Sequence, residues 1–267
     1  MKLNFYLQWN PNPFILDGIL PLQLHWYGVL FVTGFAIAYY FAQKIYKELQ
    51  LPAAMLDNLL LLSLFFSILF ARIFHILLYD FELYANNPSQ IFKIWEGGLA
   101  SHGGGFGLMV ALYIWTKYYK QKTYWIILDI MAIVTPLAGA FIRIGNFVNS
   151  EILGKASDLP WAVVFLKEEN PFPRHPAQLY ESLAYFGIFL IQYFTYKKVG
   201  FPSKAYYLYR FLFYIFSVRF LIEFVKEKQE NISLDLGLNM GAILSIPFIV
   251  VGLIGMLWPM LSKKQLQ

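Results

Sequence analysis

An arginine and two asparagines follow an apolar run in AFIRIGNFVNSEILGK, residues 140–155. Arg143 and Asn146 are three positions apart, so on a helix they share one face. The planar guanidinium of arginine suits a phosphate group, and an asparagine amide beside it can add a hydrogen-bond donor. Because a charge at membrane depth is costly, an arginine at the end of an apolar run predicts a functional anion site.

A second candidate stretch is GGLASHGGGFG, residues 97–107. Glycines where a helix begins let the backbone approach a ligand closely, and a helix N-terminus favours an anion. The alternative, that these glycines only allow close helix packing, stays open. His102 could move a proton near neutral pH, whereas His75 and His25 are weaker candidates. The scattered histidines lack metal-ligand spacing, so the sequence predicts no metal.

The composition indicates which kind of molecule must position these groups. Hydrophobic residues make up 58% of the 267 residues and charged residues only 14%, whereas soluble domains carry about 25% charged residues. The net charge of +5 is spread over short loops, so the sequence predicts no nucleic-acid partner. Cysteine is absent, so any thiol in the chemistry must arrive with a substrate.

Apolar segments about 20 residues long match a hydrocarbon core about 30 Å thick. They predict an all-α, polytopic membrane protein that forms a single integral membrane domain over residues 1–267. Its seven transmembrane helices are predicted near residues 24–43, 57–79, 99–119, 125–148, 176–196, 205–226 and 240–260. The longest connections, 80–98 and 149–175, are predicted as outer loops.

Lysines predict the orientation of these spans. They concentrate, with few acidic neighbours, in three of the connecting loops and after the last span: Lys44, Lys47, Lys117, Lys120, Lys122, Lys197, Lys198, Lys204, Lys263 and Lys264. The other side of the membrane carries basic residues diluted by carboxylates. The positive-inside rule therefore predicts a cytoplasmic C-terminus and an outer N-terminus.

Charged residues inside the predicted spans are Arg72, Asp129, Arg143, Glu181, Arg210, Arg219 and Glu223. Asp129 and Arg210 fall near cytoplasmic ends, where snorkelling is a sufficient explanation. The other five, with Tyr27 and His102, fall near the outer ends. This common depth predicts a phosphate-binding site just beneath the outer surface, at the level of lipid headgroups. The alternative is a ring of structural ion pairs.

From the residues alone, three classes of protein compete. The first is a membrane enzyme that binds an anionic headgroup in the outer leaflet. The second is a small-anion or lipid transporter, which would use the same arginines but is often built from paired halves, and none are visible here. The third is a hydrolase using Ser101 and His102, but adjacent helical residues do not face each other and no G-x-S-x-G elbow occurs.

Six motifs are spread along the chain, namely HWYG (25–28), HGGGFG (102–107), RIGNFVNSEILGK (143–155), RHPAQLYES (174–182), RFLIEF (219–224) and NMGAILSIP (239–247). Through these motifs the chain resembles the bacterial prolipoprotein diacylglyceryl transferases over nearly its whole length. The resemblance implies an enzyme of the bacterial cytoplasmic (inner) membrane whose active site faces the outer leaflet. Its substrates would be phosphatidylglycerol and the lipobox peptide of a prolipoprotein, without a cofactor. The reaction would form a thioether on the lipobox cysteine and release glycerol 1-phosphate.

The resemblance also implies roles for individual residues. The implied catalytic residues are His102, Tyr27, Arg143 and Arg219, and the implied substrate-binding residues are Arg143, Asn146, Glu151, Gly154, Arg219, Arg72 and Glu223. The two arginines Arg143 and Arg219 would hold the phosphate. His102 is the favoured base for the thiol, although another group could take the proton.

Some positions depart from the family pattern. The family usually places an arginine after the position of Glu223, whereas this chain has Lys226, which weakens a phosphate role assigned there. Ala242 replaces a glutamine that is usual in the family, so it supplies no side-chain amide. Ser150 and Lys155 are variants within the RIGNFVNSEILGK motif. Because Arg143 and Arg219 are intact, we interpret these changes as tuning of a working enzyme.

Overall fold

The computed structural model describes residues 5–15, 17, 24–94, 97–119, 124–227 and 240–263, most of them helical. The helices are α1 (Trp26–Glu48), α2 (Ala53–Leu78), α3 (Phe81–Asn86), α4 (Ser101–Tyr119), α5 (Tyr124–Asn149), α6 (Ala177–Val199), α7 (Tyr206–Ile222) and α8 (Met240–Lys263). A short 3-10 helix, Pro88–Phe92, follows α3. Long apolar helices are the form that a chain takes in lipid, because a helix satisfies its backbone hydrogen bonds internally.

A long helix lies at each predicted span, with somewhat different ends: α1 continues to Glu48, and α7 already stops at Ile222. Within the described ranges, four segments are both long and apolar enough to cross a membrane, namely Trp26–Glu48, Ala53–Leu78, Tyr124–Asn149 and Gly241–Trp258. The protein is therefore a helical integral membrane protein. Seven spans, the orientation and a single membrane domain stay predictions.

The chain divides into two compact units by the proximity of its Cα atoms. The larger unit comprises Met1–Ala42 and Trp125–Gln267, and the smaller unit comprises Gln43–Tyr124. Each is described separately below.

Glycines bring α2 and α4 together in the smaller unit. A Cβ atom on Gly103 would overlap the carbonyl oxygen of Phe70, and one on Gly107 would overlap that of Phe66. Two small residues four positions apart are a common way for membrane helices to approach closely. For Gly103 and Gly107, the structure therefore supports the packing interpretation of the glycine-rich stretch.

In the larger unit, side chains of α6 form hydrogen bonds with the backbone of α5. The hydroxyl of Ser182 donates a 3.0 Å hydrogen bond to the carbonyl oxygen of Ala140, and Gln192 donates one of 2.8 Å to that of Ala132. Helix α1 lies against α5, where a Cβ atom on Gly34 would collide with the Phe141 side chain. Buried side-chain amides and hydroxyls that reach backbone carbonyls fix the rotation of α6 on α5.

The carboxylate of Asp129, in α5, caps the N-terminus of α7. Asp129 is 1% exposed and accepts hydrogen bonds from the backbone N–H groups of Tyr206, Tyr207 and Leu208 at 3.1, 2.9 and 2.8 Å. A negative charge at unpaired N–H groups is favourable. The interpretation that Asp129 snorkels towards water was therefore wrong, because its charge is satisfied inside the protein.

Short strands accompany the helices: β1 (Leu7–Trp9), β2 (Phe14–Ile15), β3 (Leu24–His25), β4 (Val163–Phe165) and β5 (Pro173–Arg174). Strand β1 pairs in parallel with β4, β4 pairs antiparallel with β5, and β2 and β3 pair antiparallel. The mostly helical fold agrees with the predicted class. The short strands were not predicted, because strands of two or three residues are too short to show an alternating pattern.

Candidate functional site

Arg143, in the last two turns of α5, forms a buried ion pair with Glu181 of α6. The Nε atom of Arg143 lies 2.9 Å from Oε2 of Glu181, and the Glu181 side chain is 0% exposed. The same guanidinium donates a 3.2 Å hydrogen bond from Nη1 to Oδ1 of Asn146. The predicted sharing of one helix face by Arg143 and Asn146 is thus confirmed.

Asn146 connects Arg143 to the segment that follows α5. Its amide nitrogen donates a 2.8 Å hydrogen bond to one carboxylate oxygen of Glu151, and Asn149 donates a 3.1 Å hydrogen bond to the other. Gln178 of α6 donates to the backbone carbonyl of Glu151 at 2.5 Å. Asn146 is buried and Glu151 is exposed, so this chain of contacts runs from the protein interior to its surface.

A buried lysine that the sequence interpretation left out of the site lies on the far side of Glu181. The Nζ atom of Lys226 lies 2.7 Å from Oε1 of Glu181 and 4.0 Å from Oε2 of Glu223. Lys226 follows the end of α7. The spacing of three residues between Glu223 and Lys226 was the sequence signal that could have indicated that Lys226 lies close to these carboxylates.

Glu223 and Arg219 lie at the C-terminal end of α7. The carboxylate of Glu223 faces the first turn of α8, since a Cβ atom on Gly241 would lie 2.8 Å from its Oε2. Arg219 and Arg143 both lie close enough to Tyr185 for their charges to act on its hydroxyl. The two arginines that were expected to share a phosphate therefore lie near the same tyrosine.

Tyr27 lies beside the C-terminal part of α5. Its ring lies against Gly145, where a Cβ atom would be 2.8 Å from the ring carbon Cδ2. Its phenol lies close enough to Glu151 and Arg143 for their charges to act on it. The structure thus places Tyr27 of α1 beside the motif RIGNFVNSEILGK, residues 143–155, which is called the signature segment below.

At Gly154 the backbone of the signature segment lies against two other segments of the chain. Gly154 forms a backbone bridge with Lys226, and a Cβ atom on it would overlap the carbonyl oxygen of His175. Gly154 is therefore a point of close backbone contact. The prediction that it shapes a headgroup pocket is not tested by this contact.

Arg72 and His102 belong to the smaller unit. Arg72 is buried and donates to a set of backbone carbonyls, namely those of Gln90, Ile91, Lys93, Gly97 and Gly98. This guanidinium fixes the segment that precedes α4. His102 is the second residue of α4 and is exposed. Substrate binding by Arg72 and proton transfer by His102 stay predictions.

The larger unit therefore concentrates charge in a cluster in which Asn146, Glu181 and Lys226 are buried and Glu151 is exposed. Its members are Arg143, Asn146, Glu151, Glu181, Arg219, Glu223 and Lys226. Arginine beside asparagine can bind phosphate oxygens, and the carboxylates can orient the cations. In the described part of the chain, no group of three or more His, Asp or Glu side chains could hold a metal ion.

Fold and site together define a helical integral membrane protein with a cluster of charged side chains that contains two arginines, a feature expected of membrane proteins that act on anionic groups. Comparison with known proteins narrows this class. The family model described as prolipoprotein diacylglyceryl transferase matches residues 13–258, and the chain belongs to this family.

Close relatives cover almost the whole chain. A protein of Tolumonas auensis is 40% identical over 259 residues, which is 97% of this chain and 98% of the relative. A protein of Bacteroides fragilis is 36% identical over 92% of this chain and 93% of its own length. A protein of Chloroherpeton thalassium is 33% identical over 100% of this chain and 99% of its own. All three are named phosphatidylglycerol–prolipoprotein diacylglyceryl transferase.

Proposed function

We propose that this protein transfers the diacylglyceryl group of phosphatidylglycerol to the lipobox cysteine thiol of a prolipoprotein. The products are a thioether-linked lipoprotein precursor and glycerol 1-phosphate. Membership of the transferase family supports the proposal, and the names of the relatives state both substrates. One observation about the site carries it, namely that Arg143 is held by Glu181 and Asn146 in a largely buried position.

The reaction displaces a phosphate ester from carbon. The thiolate sulfur forms a bond to the diacylglyceryl carbon while the bond from that carbon to the phosphate oxygen breaks, and the electron pair leaves with the phosphate. Arg143 and Arg219 bind the phosphate and stabilise the charge that develops on it. Prearranged cations of this kind are often the largest single contribution to catalysis.

The thiol must lose its proton before or during attack. His102 is the proposed base, with Tyr27 assisting, and general-base catalysis contributes about 10²–10⁴-fold. In this proposal the enzyme supplies the base and the prolipoprotein supplies the thiol. The absence of cysteine from the chain fits this assignment.

Asn146, Glu151 and Gly154 are proposed to shape the headgroup pocket, with Arg72 and Glu223 as further substrate-binding residues. The site is proposed to face the outer leaflet of the bacterial inner membrane. The competing proposal, a small-anion or lipid transporter, gains no support from the family comparison.

The test uses purified protein, a lipobox peptide and vesicles of phosphatidylglycerol. Wild-type protein is expected to yield the thioether product by mass, and phosphatidylethanolamine vesicles are expected to yield none. Arg143→Ala should abolish the product while the protein stays folded and inserted. Arg210→Ala is the matched control, because Arg210 stacks on Tyr206 near the opposite end of α7 from Arg219 and should retain transfer. Full activity of Arg143→Ala would contradict the assigned role.

A further inference from the structure

Glu181 is shared between two cations. Its Oε2 atom lies 2.9 Å from Nε of Arg143 and its Oε1 atom lies 2.7 Å from Nζ of Lys226, while its side chain is 0% exposed. A carboxylate shielded from solvent depends on such partners, because a buried charge without a counter-charge strongly destabilises the folded protein. Each oxygen of Glu181 therefore has its own cation.

This division decides how Arg143 is held. An arginine and a carboxylate commonly form two parallel hydrogen bonds, which would engage a terminal nitrogen of the guanidinium. Here Lys226 takes the second oxygen, so the carboxylate contacts Arg143 at Nε. The Nη1 atom of Arg143 is turned towards Asn146 instead. The guanidinium therefore contacts Glu181 through Nε and Asn146 through Nη1.

We propose that Glu181 and Lys226 are positioning residues for Arg143, acting on the transfer reaction through that guanidinium rather than through contact with the phosphate. The inference rests on the proposed function, since it names what orients the phosphate-binding arginine. Lys226, a departure from the family pattern, thus has a defined place in the site.

The backbone around Lys226 is fixed on both sides. Gly154 bridges to Lys226, the N–H of Lys155 donates a 2.8 Å hydrogen bond to the carbonyl of Val225, and the N–H of Glu227 donates one of 3.0 Å to that of Leu153. The segment after α5 and the segment after α7 are therefore joined next to the ammonium. Movement of the signature segment would move Lys226, and with it the second oxygen of Glu181.

Two other roles for Lys226 make different predictions. If the ammonium bound the phosphate itself, its loss would cost activity whether or not Glu181 carried a charge. If Lys226 only supported the fold, its loss would lower the folded fraction but leave turnover per folded molecule unchanged. A positioning residue loses its effect when the carboxylate through which it acts is removed.

The experiment compares Lys226→Met, Glu181→Gln, the double variant and Lys226→Arg in the vesicle assay, with kcat/KM for phosphatidylglycerol corrected for folded protein. Either Lys226→Met or Glu181→Gln should lower kcat/KM about 10–100-fold, the scale of a misplacement of roughly 1 Å. The double variant should be no worse than Glu181→Gln alone. Lys226→Arg should restore most of the activity, since it keeps a cation on Oε1. Lys167→Met, which removes an exposed lysine, is the matched control and should match wild type.

Each other result counts against the proposal. If the losses in the double variant multiply, Lys226 acts independently of Glu181, and the positioning role is wrong. The same follows if Lys226→Met keeps full turnover, or if its loss only tracks the melting temperature. In these cases the wild type still makes the thioether, so the proposed function stands. A wild type that makes no thioether overturns the proposed function, and the positioning role with it.

Discussion

The carbonyl oxygen of His175 occupies the place that a Cβ atom on Gly154 would need. On its other side, Gly154 forms a backbone bridge with Lys226. Three segments of the chain therefore meet at one glycine, which follows α5 and precedes β4. Any side chain at this position has to push one of the neighbouring segments away.

Gly154→Ala is expected to destabilise the fold by about 1–3 kcal/mol, the usual cost of overpacking. It should also lower transfer per folded molecule, because moving the bridge displaces Lys226 from Glu181. Melting temperature and the vesicle assay measure the two effects. Gly187→Ala in α6 is the control, since a Cβ atom there meets nothing within 4 Å. Unchanged melting and activity in Gly154→Ala would contradict the close contact.

The glycines of HGGGFG should differ in their tolerance of a methyl group. Gly103→Ala is expected to lower the melting temperature, because its Cβ atom would overlap the backbone of Phe70 in α2. Gly105→Ala should be neutral or stabilising, because nothing lies within 4 Å of its Cβ position and alanine favours a helix by about 1 kcal/mol. Thermal unfolding in detergent compares them. Equal sensitivity of both positions would argue against helix packing as the reason for Gly103.

Asp129→Asn should cost about 1–2 kcal/mol of stability, because hydrogen bonds to a charged acceptor are replaced by weaker bonds to a neutral one. Asparagine keeps one acceptor oxygen, but it loses the charge that satisfies the N–H groups of Tyr206, Tyr207 and Leu208. Transfer per folded molecule should be unchanged. Asp158→Asn removes an exposed carboxylate and is the control. A melting temperature equal to that of wild type would show that the cap contributes little.

Single engineered cysteines can test the orientation, since the chain has none of its own. Asn170→Cys lies in the exposed segment between β4 and β5, in the loop predicted to be outside. A membrane-impermeant maleimide should label this cysteine on intact cells, whereas Lys120→Cys should react only in inverted vesicles. Labelling of position 170 from the cytoplasmic side would reverse the predicted topology.

The helices could be predicted from the sequence because each is specified by its own apolar run. Predicted and observed ends agree closely for α5, predicted at 125–148 and observed at Tyr124–Asn149. The end of α7 was less accessible, because the apolar stretch continues beyond the last helical turn at Ile222. Strands β1 and β4 pair across more than 150 residues of chain, and no local pattern encodes such a partner.

The candidate site was accessible in part. Arg143 with Asn146 follows from helical periodicity alone, because residues three apart must share a face. The roles of charged residues outside that periodicity did not follow. Asp129 was assigned to a water-facing end, although it is buried at the N-terminus of α7. Lys226 was treated only as a departure from the family pattern, although its ammonium donates a hydrogen bond to Glu181.

The amino-acid sequence alone determined the membrane class of the protein, the positions of its long helices and the signature that carries its family. These are properties of single segments, fixed by hydrophobicity over a bilayer's thickness and by residue types at fixed spacing. Only the tertiary structure decided which carboxylate faces which cation. Ion pairs such as Glu181 with Lys226 join residues from different helices and loops, and their geometry exists only once those segments have packed together.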